Sequence, residues 1–170
     1  MSVVLVGANP GVLVKDGDRV TAFASVWQVD WSVRGSGPAL VLWHAGRVRV
    51  LGPDPDLAGW LADTFVRHFG EVGGLPWEPA VERADVDVDL DLARGLRAKA
   101  ADVTVEMSGV TDRRPFRQED LTLGTTAYDL SNVFAPCSAA TVTVGGTAVP
   151  GAPDPAFLAV AEVWSTPAGS

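Results

Sequence analysis

The chain of 170 residues has the length of one ordinary domain, and it is acidic, with 13 Lys and Arg against 21 Asp and Glu and a net charge of −8. Nucleic acids and anionic membrane surfaces are bound by clustered Lys and Arg, which are scattered here, so we expect neither as a partner. Cys137 is the only cysteine, and an intrachain disulfide is therefore excluded.

The sequence predicts a single β-rich domain over residues 1–170. Its N-terminus shows no basic segment followed by a long apolar one, and no apolar run is long enough to span a membrane, so we expect a cytoplasmic protein. Arginine outnumbers lysine eleven to two amid abundant Ala, Val, Gly and Asp, a composition typical of a bacterial gene rich in G and C.

Glycine-containing turns between apolar runs predict antiparallel hairpins, with turns at residues 16–17, 44–46 and 145–146. The most aromatic strand covers residues 19–34, and alternation places Phe23, Trp27 and Trp31 on one face, which we expect to be core.

We prefer a four-residue loop at 35–38 after this strand, because the register that it sets keeps each face of the two paired strands uniform in polarity. That register pairs Trp31 with Leu42 and Val29 with His44, and it places His44 at the edge of the core.

One amphipathic helix is predicted over residues 55–69. Asp54 is a good N-cap and Pro55 suits the first helical position. An apolar stripe at helical spacing faces the sheet and consists of Leu57, Trp60, Leu61, Thr64, Phe65 and His68. The following Gly/Pro-rich loop, residues 71–79, contains Trp77 and is predicted to be a mobile lid or a linker.

Residues 85–92 alternate aspartate with valine or leucine, so four aspartates line one face of a strand. Pairing Leu92 with Leu96 across a turn sets Asp91 opposite Arg97, and opposite charges meet across the two strands. A calcium loop beginning at Asp85 would need glycine at its sixth and glutamate at its twelfth position, where the chain has leucine. We therefore predict no metal, and nothing in the chain indicates a cofactor.

Further strands are predicted at residues 116–123, 127–134, 138–144, 147–149 and 157–164. The predicted fold class is mainly β, a β-rich α+β fold in which an antiparallel meander closes into a barrel or sandwich with one helix packed against it. By fold analogy such a meander is similar to lipocalin-like barrels, although the lipocalin Gly-x-Trp near the first strand is absent.

No motif fixes a chemistry, because the chain has no Gly-x-Ser-x-Gly elbow, phosphate-binding loop or dinucleotide fingerprint. His44 and His68 are the candidate catalytic residues, and Cys137 is expected to be a small buried hydrophobe. Six tryptophans suggest a pocket for a small hydrophobic or aromatic ligand. The candidate ligand-binding residues are Trp27, Trp31, His44, His68, Trp77 and Tyr128.

Three functions follow from these observations. The first is a non-catalytic protein that binds a small hydrophobic molecule beneath the helix. The second is a small cofactor-independent enzyme, for instance an isomerase, cyclase or dehydratase, with a histidine as acid/base. The third is an interaction module, in which an exposed Trp43 and edge strands form a homodimer.

Overall fold

A computed structural model describes residues 2–165, whose strands form one mixed sheet. The first five strands are β1 Ser2–Ala8, β2 Gly11–Asp16, β3 Arg19–Ser32, β4 Gly37–His44 and β5 Arg47–Gly52. A helical segment follows, with α1 at Pro55–Thr64 and two 3-10 helices at Val66–His68 and Gly70–Val72. The later strands are β6 Pro79–Arg83, β7 Val86–Asp91, β8 Gly95–Ala100, β9 Val103–Val110, β10 Arg114–Leu123, β11 Thr126–Val144, β12 Thr147–Ala148 and β13 Ala152–Ser165.

The hydrogen-bonded order of strands is β6-β5-β4-β3-β1-β13-β11-β9-β8-β7. Outside this order β10 and β12 each pair with β11, and β2 pairs with both β3 and β13. A mainly β fold with one helix packed on it is therefore confirmed, although the sheet has two ends and is not a closed barrel. One pair departs from the antiparallel pattern, because β6 runs parallel to β5. The crossover through α1 returns the chain to the same edge in the same direction, as a parallel pair requires. Within residues 2–165 no helix is both long and apolar enough to cross a bilayer.

The sheet buries side chains on both faces of β3, β4 and β5. On one face Phe23 and Trp27 pack under residues 55–72, which we call the helical cap, and this layer is the first core. On the other face Ala24 and Val26 pack against strands β8 and β9, and this layer is the second core. Successive residues of a strand point to opposite faces, so a strand buried on both sides reads as an almost continuous apolar run.

The predicted register between β3 and β4 is wrong by seven residues. Phe23 pairs with Trp43, and Val29 pairs with Gly37 rather than with His44. The pairing with β4 stops at Val29, and Trp31 lies beyond it, beside Val6 of β1 on the opposite edge of β3. Trp31 is consequently 50% exposed, and its predicted place in the core is also wrong.

The hairpins exist where the turn residues predict them, with small shifts. The second turn is a two-residue one in which Ala45 and Gly46 have φ of 53° and 75°, as a type I′ turn requires. In the acidic hairpin Leu96 pairs with Leu90 rather than Leu92. That shift of two residues keeps every side chain on its predicted face, so aspartates still lie opposite basic residues.

The helix begins as predicted, because the Asp54 carboxylate accepts hydrogen bonds from the backbone N–H groups of Asp56 and Leu57 at 3.1 and 3.2 Å. It ends at Thr64 rather than at residue 69. The chain then tightens into 3-10 turns, where each residue advances about 120° instead of 100°. The change of phase buries Val66 and turns His68 to the surface, so the predicted place of His68 on the apolar stripe is wrong.

Replacing Asp54 tests its role as the N-cap of the helix. We expect Asp54→Ala to lower the free energy of unfolding by about 1 kcal/mol, since two N–H groups lose their acceptor. Asp56→Ala, an exposed change in the same turn, should cost only a few tenths of that because it removes only a charge near the helix start. Urea unfolding of both variants measures the difference, and equal losses would contradict the capping role.

An ion-pair network joins β5 and β6 to the β8–β9 turn. The guanidinium of Arg49 on β5 donates to Glu82 on β6 at 3.1 Å and lies 2.8 Å from a carboxylate oxygen of Asp102, in the β8–β9 turn. The hydrogen bond from Arg49 lowers the pKa of Asp102 below its ordinary value.

The pair makes stability depend on pH in one direction. A carboxyl whose pKa is lower in the folded state stabilises the fold above its ordinary pKa, and loses that effect as the pH falls through the folded value. Asp102→Asn should therefore be less stable than the wild type at pH 7, by no more than about 1 kcal/mol because the side chain is half-exposed. The gap should close below about pH 4, as thermal unfolding of the two proteins across this pH range would show.

Candidate functional site

A cleft of about 180 Å³ lies between the helical cap and the sheet. Its floor is formed by β1, β13 and β11, its roof by the cap, and one wall by β10. The residues that line it are Leu5, Gly7, Asn9, Trp27, Phe65, Phe69, Glu71, Leu121, Leu123, Tyr128, Leu130, Asn132, Phe157, Ala159, Ala161 and Val163. The lining is mostly apolar with few polar groups, as is usual for small-molecule sites.

The cleft exists because small residues meet in one row across three strands. Gly7 lies opposite Ala161, and Ala161 lies opposite Asn132. The neighbouring row is filled by branched side chains, where Leu5 lies opposite Val163. A row that contains a glycine and an alanine beside this bulky row leaves a hollow that the cap spans without filling.

Aromatic rings form the inner end of the cleft. The Phe65 ring centroid lies 5.7 Å from that of Trp27, 5.5 Å from that of Tyr128 and 5.4 Å from that of Trp60. Trp27 and Tyr128 are nearly completely buried in the first core. Since Phe65 belongs to the segment that follows α1, the cap is fixed to the sheet at this point.

Two lining residues carry buried polar atoms without a partner. The Trp27 Nε1 donor and the Asn132 Oδ1 acceptor are shielded from solvent, and neither has a hydrogen-bond partner among residues 2–165. The other buried tryptophan differs, because Trp43 Nε1 donates to the carbonyl of Pro76 at 3.0 Å. An unpaired buried polar atom costs about 1–3 kcal/mol. Within residues 2–165 the two side-chain atoms that carry this cost both belong to residues of the cleft lining.

The structure brings together two of the residues predicted to bind ligand, Trp27 and Tyr128. Four others lie outside the cleft lining. Trp31 is half-exposed, and Trp77 packs against the first core from the loop after the cap. His44 lines a separate surface groove beside Trp43.

His68 is exposed beside the turn that joins β10 to β11, close to Gly124. Neither candidate acid/base histidine therefore lines the cleft. Trp43, expected to be an exposed contact residue, is 7% exposed, and that expectation is wrong.

Cys137 lies on β11 opposite Val110 and packs against the second core. Burial raises the pKa of the thiol above its ordinary value, which disfavours the thiolate that a nucleophile needs. The aspartates of β7 point to solvent. Among residues 2–165 no group of three or more His, Cys, Asp or Glu side chains is arranged to hold a metal ion.

Sequence reasoning missed the residues that come to the cleft from far along the chain. Asn132 stands between Leu130 and Phe134 at alternate positions of its strand, where an apolar residue would continue the pattern, and this is the one local signal that could have pointed to it. Glu71 and Phe157 carry no such signal, because their positions depend on how the cap and β13 meet.

Comparison of the chain with family models, with curated proteins and with solved structures finds no match.

Proposed function

We propose that this protein binds a small, mostly apolar or aromatic molecule in the cleft beneath the helical cap. The observation that carries the proposal is the pair of unpartnered buried atoms, Trp27 Nε1 and Asn132 Oδ1, on residues that line an apolar hollow. A bound molecule with one acceptor and one donor would relieve both costs, with small movements of the two side chains.

The size of the cleft limits the ligand. About 180 Å³ is room for one aromatic ring with a short substituent, and the aromatic end formed by Phe65 and Tyr128 suits such a ring. The proposal is one of binding and not of histidine-based catalysis, since the described lining holds neither His44 nor His68.

A cavity-filling variant tests the proposal. Ala159 is 5% exposed on the cleft floor, so Ala159→Leu places three extra carbon atoms in the space of the ligand. We expect wild-type protein to bind 2-phenylethanol saturably at one site, and Ala159→Leu to weaken that binding at least about tenfold by calorimetric titration, which is about 1.4 kcal/mol.

Ala139→Leu is the matched control, because Ala139 is exposed on β11 and lies outside the cleft lining. It should bind 2-phenylethanol as the wild type does. The proposal is wrong if a panel of monocyclic aromatic compounds shows no saturable binding, or if Ala159→Leu binds them as tightly as Ala139→Leu does.

A further inference from the structure

The mouth of the cleft is marked by residues that it shares with a second, outer groove. Glu71, Asn132 and Phe157 line both the cleft and this open groove of about 510 Å³. The outer groove adds Arg114, Phe116 and Phe134 from the β10–β11 hairpin, and Pro155. A molecule seated in the cleft would therefore present its outer end to Glu71 and Asn132.

Glu71 is the only Asp, Glu, Lys or Arg in the cleft lining, and none of the ion pairs formed within residues 2–165 includes it. The nearby cation is already engaged, because Arg114 pairs with Asp112 at 2.9 Å and its guanidinium lies 5.9 Å from the centre of the Phe134 ring. Within residues 2–165 the negative charge of Glu71 is therefore not balanced by a cation within 4 Å.

Two further features at the mouth favour a ligand whose outer group is a hydrogen-bond donor over one whose outer group is an acceptor. The Asn132 Oδ1 atom is a buried acceptor without a donor. The Phe157 ring stacks on Phe134 with centroids 5.2 Å apart, and aromatic faces attract cations. A protonated amine can donate hydrogen bonds to the carboxylate and to the amide oxygen, and the aromatic faces attract its charge, so these groups together favour it.

We infer that the ligand is a small protonated amine that also carries one hydrogen-bond acceptor, with its apolar or aromatic part and the acceptor in the cleft beside Trp27 and its ammonium group at Glu71 and Asn132. This inference rests on the proposed function, since it assigns the chemical class of the same ligand. An anionic ligand is disfavoured at this mouth by Glu71 and by the net charge of −8.

Three probes of similar size and different charge test the inference at pH 7: phenethylamine, 2-phenylethanol and phenylacetate. We expect wild-type protein to bind the amine about tenfold more tightly than the alcohol, and phenylacetate most weakly. Charge-assisted hydrogen bonds are roughly twice as strong as neutral ones. Glu71→Gln should remove the preference for the amine over 2-phenylethanol.

Glu78→Gln is the matched control, because Glu78 is exposed outside the cleft lining and the change in net charge is identical. It should keep the preference for the amine. The amine inference is wrong if wild-type protein binds the amine and the alcohol equally, or if Glu71→Gln shows the same preference for the amine as Glu78→Gln. Either result would leave the binding proposal standing. Absence of saturable binding for all three probes would overturn both.

Discussion

Replacing Phe65 by alanine is expected to lower the free energy of unfolding by about 3–5 kcal/mol. The side chain is 3% exposed and its ring contacts Trp27, Trp60 and Tyr128. Loss of the ring removes buried apolar area and three aromatic contacts at once, and the rings around it belong to separate strands and to α1, so they cannot close the space together.

Chemical denaturation measures this loss, and Phe116→Ala is its control. Phe116 is 47% exposed on β10, so its removal should cost less than about 1 kcal/mol. If Phe65→Ala cost no more than Phe116→Ala, the helical cap would not be held to the sheet by the aromatic contacts described above.

Gly7→Ala is the second change expected to have a large effect, a loss of about 3 kcal/mol. A Cβ atom at this position would collide with the carbonyl oxygen of Gln28 and would lie 2.9 Å from the Cα of Val29. Both are backbone atoms of β3, so relief requires β1 and β3 to separate, and their hydrogen bonds would lengthen. The glycine is needed here for close approach of two strands.

Gly59→Ala is the contrasting control. Gly59 lies within α1, and an added Cβ would meet only Val81 Cγ2 at 3.8 Å, which is ordinary contact. Alanine is the better helix former, so this variant should be more stable than the wild type by about 0.5–1 kcal/mol. Thermal unfolding of the two alanine variants should therefore show shifts of opposite sign, and two shifts of the same sign would contradict the packing account of Gly7.

Features governed by near neighbours in sequence could be predicted. The Asp54 cap and the hairpin turns depend on residues within a few positions, so the pattern of Gly, Asp and apolar residues was sufficient for them. The alternation in residues 85–92 likewise determined which side chains face solvent, even though the pairing shifted by two.

Features that depend on competition between distant segments could not be predicted from the sequence. β3 pairs with β4 on one edge and with β2 and then β1 on the opposite edge, and its pairing with β4 stops at Val29. A pattern that assumes one partner extends the pairing with β4 too far. This is why the sequence pattern wrongly predicts Trp31 to lie in the core. His68 was misplaced for a related reason, because the tightening of the chain after Thr64 is set by the fit of Phe65 and Val66 to the sheet.

The same distinction applies to the residues of the candidate site. Trp27 and Tyr128 could be predicted because aromatic residues in strands are usually buried and line clefts. Asn132 and Glu71 could not, since a polar residue on a strand or in a loop is ordinary by itself. Only the fold shows that Asn132 lies across from Ala161 and that the cap sets Glu71 over the same hollow.

The most direct test of the binding cleft is the indole N–H signal of Trp27 in a ¹H–¹⁵N correlation spectrum. The chain has six tryptophans, so the indole region is simple, and Trp27→Phe assigns the signal by its absence. Titration with 2-phenylethanol should move the Trp27 signal saturably, because its unpaired Nε1 gains a partner, while the signal of half-exposed Trp31 stays in place. A Trp27 signal that does not move across the titration would contradict the account.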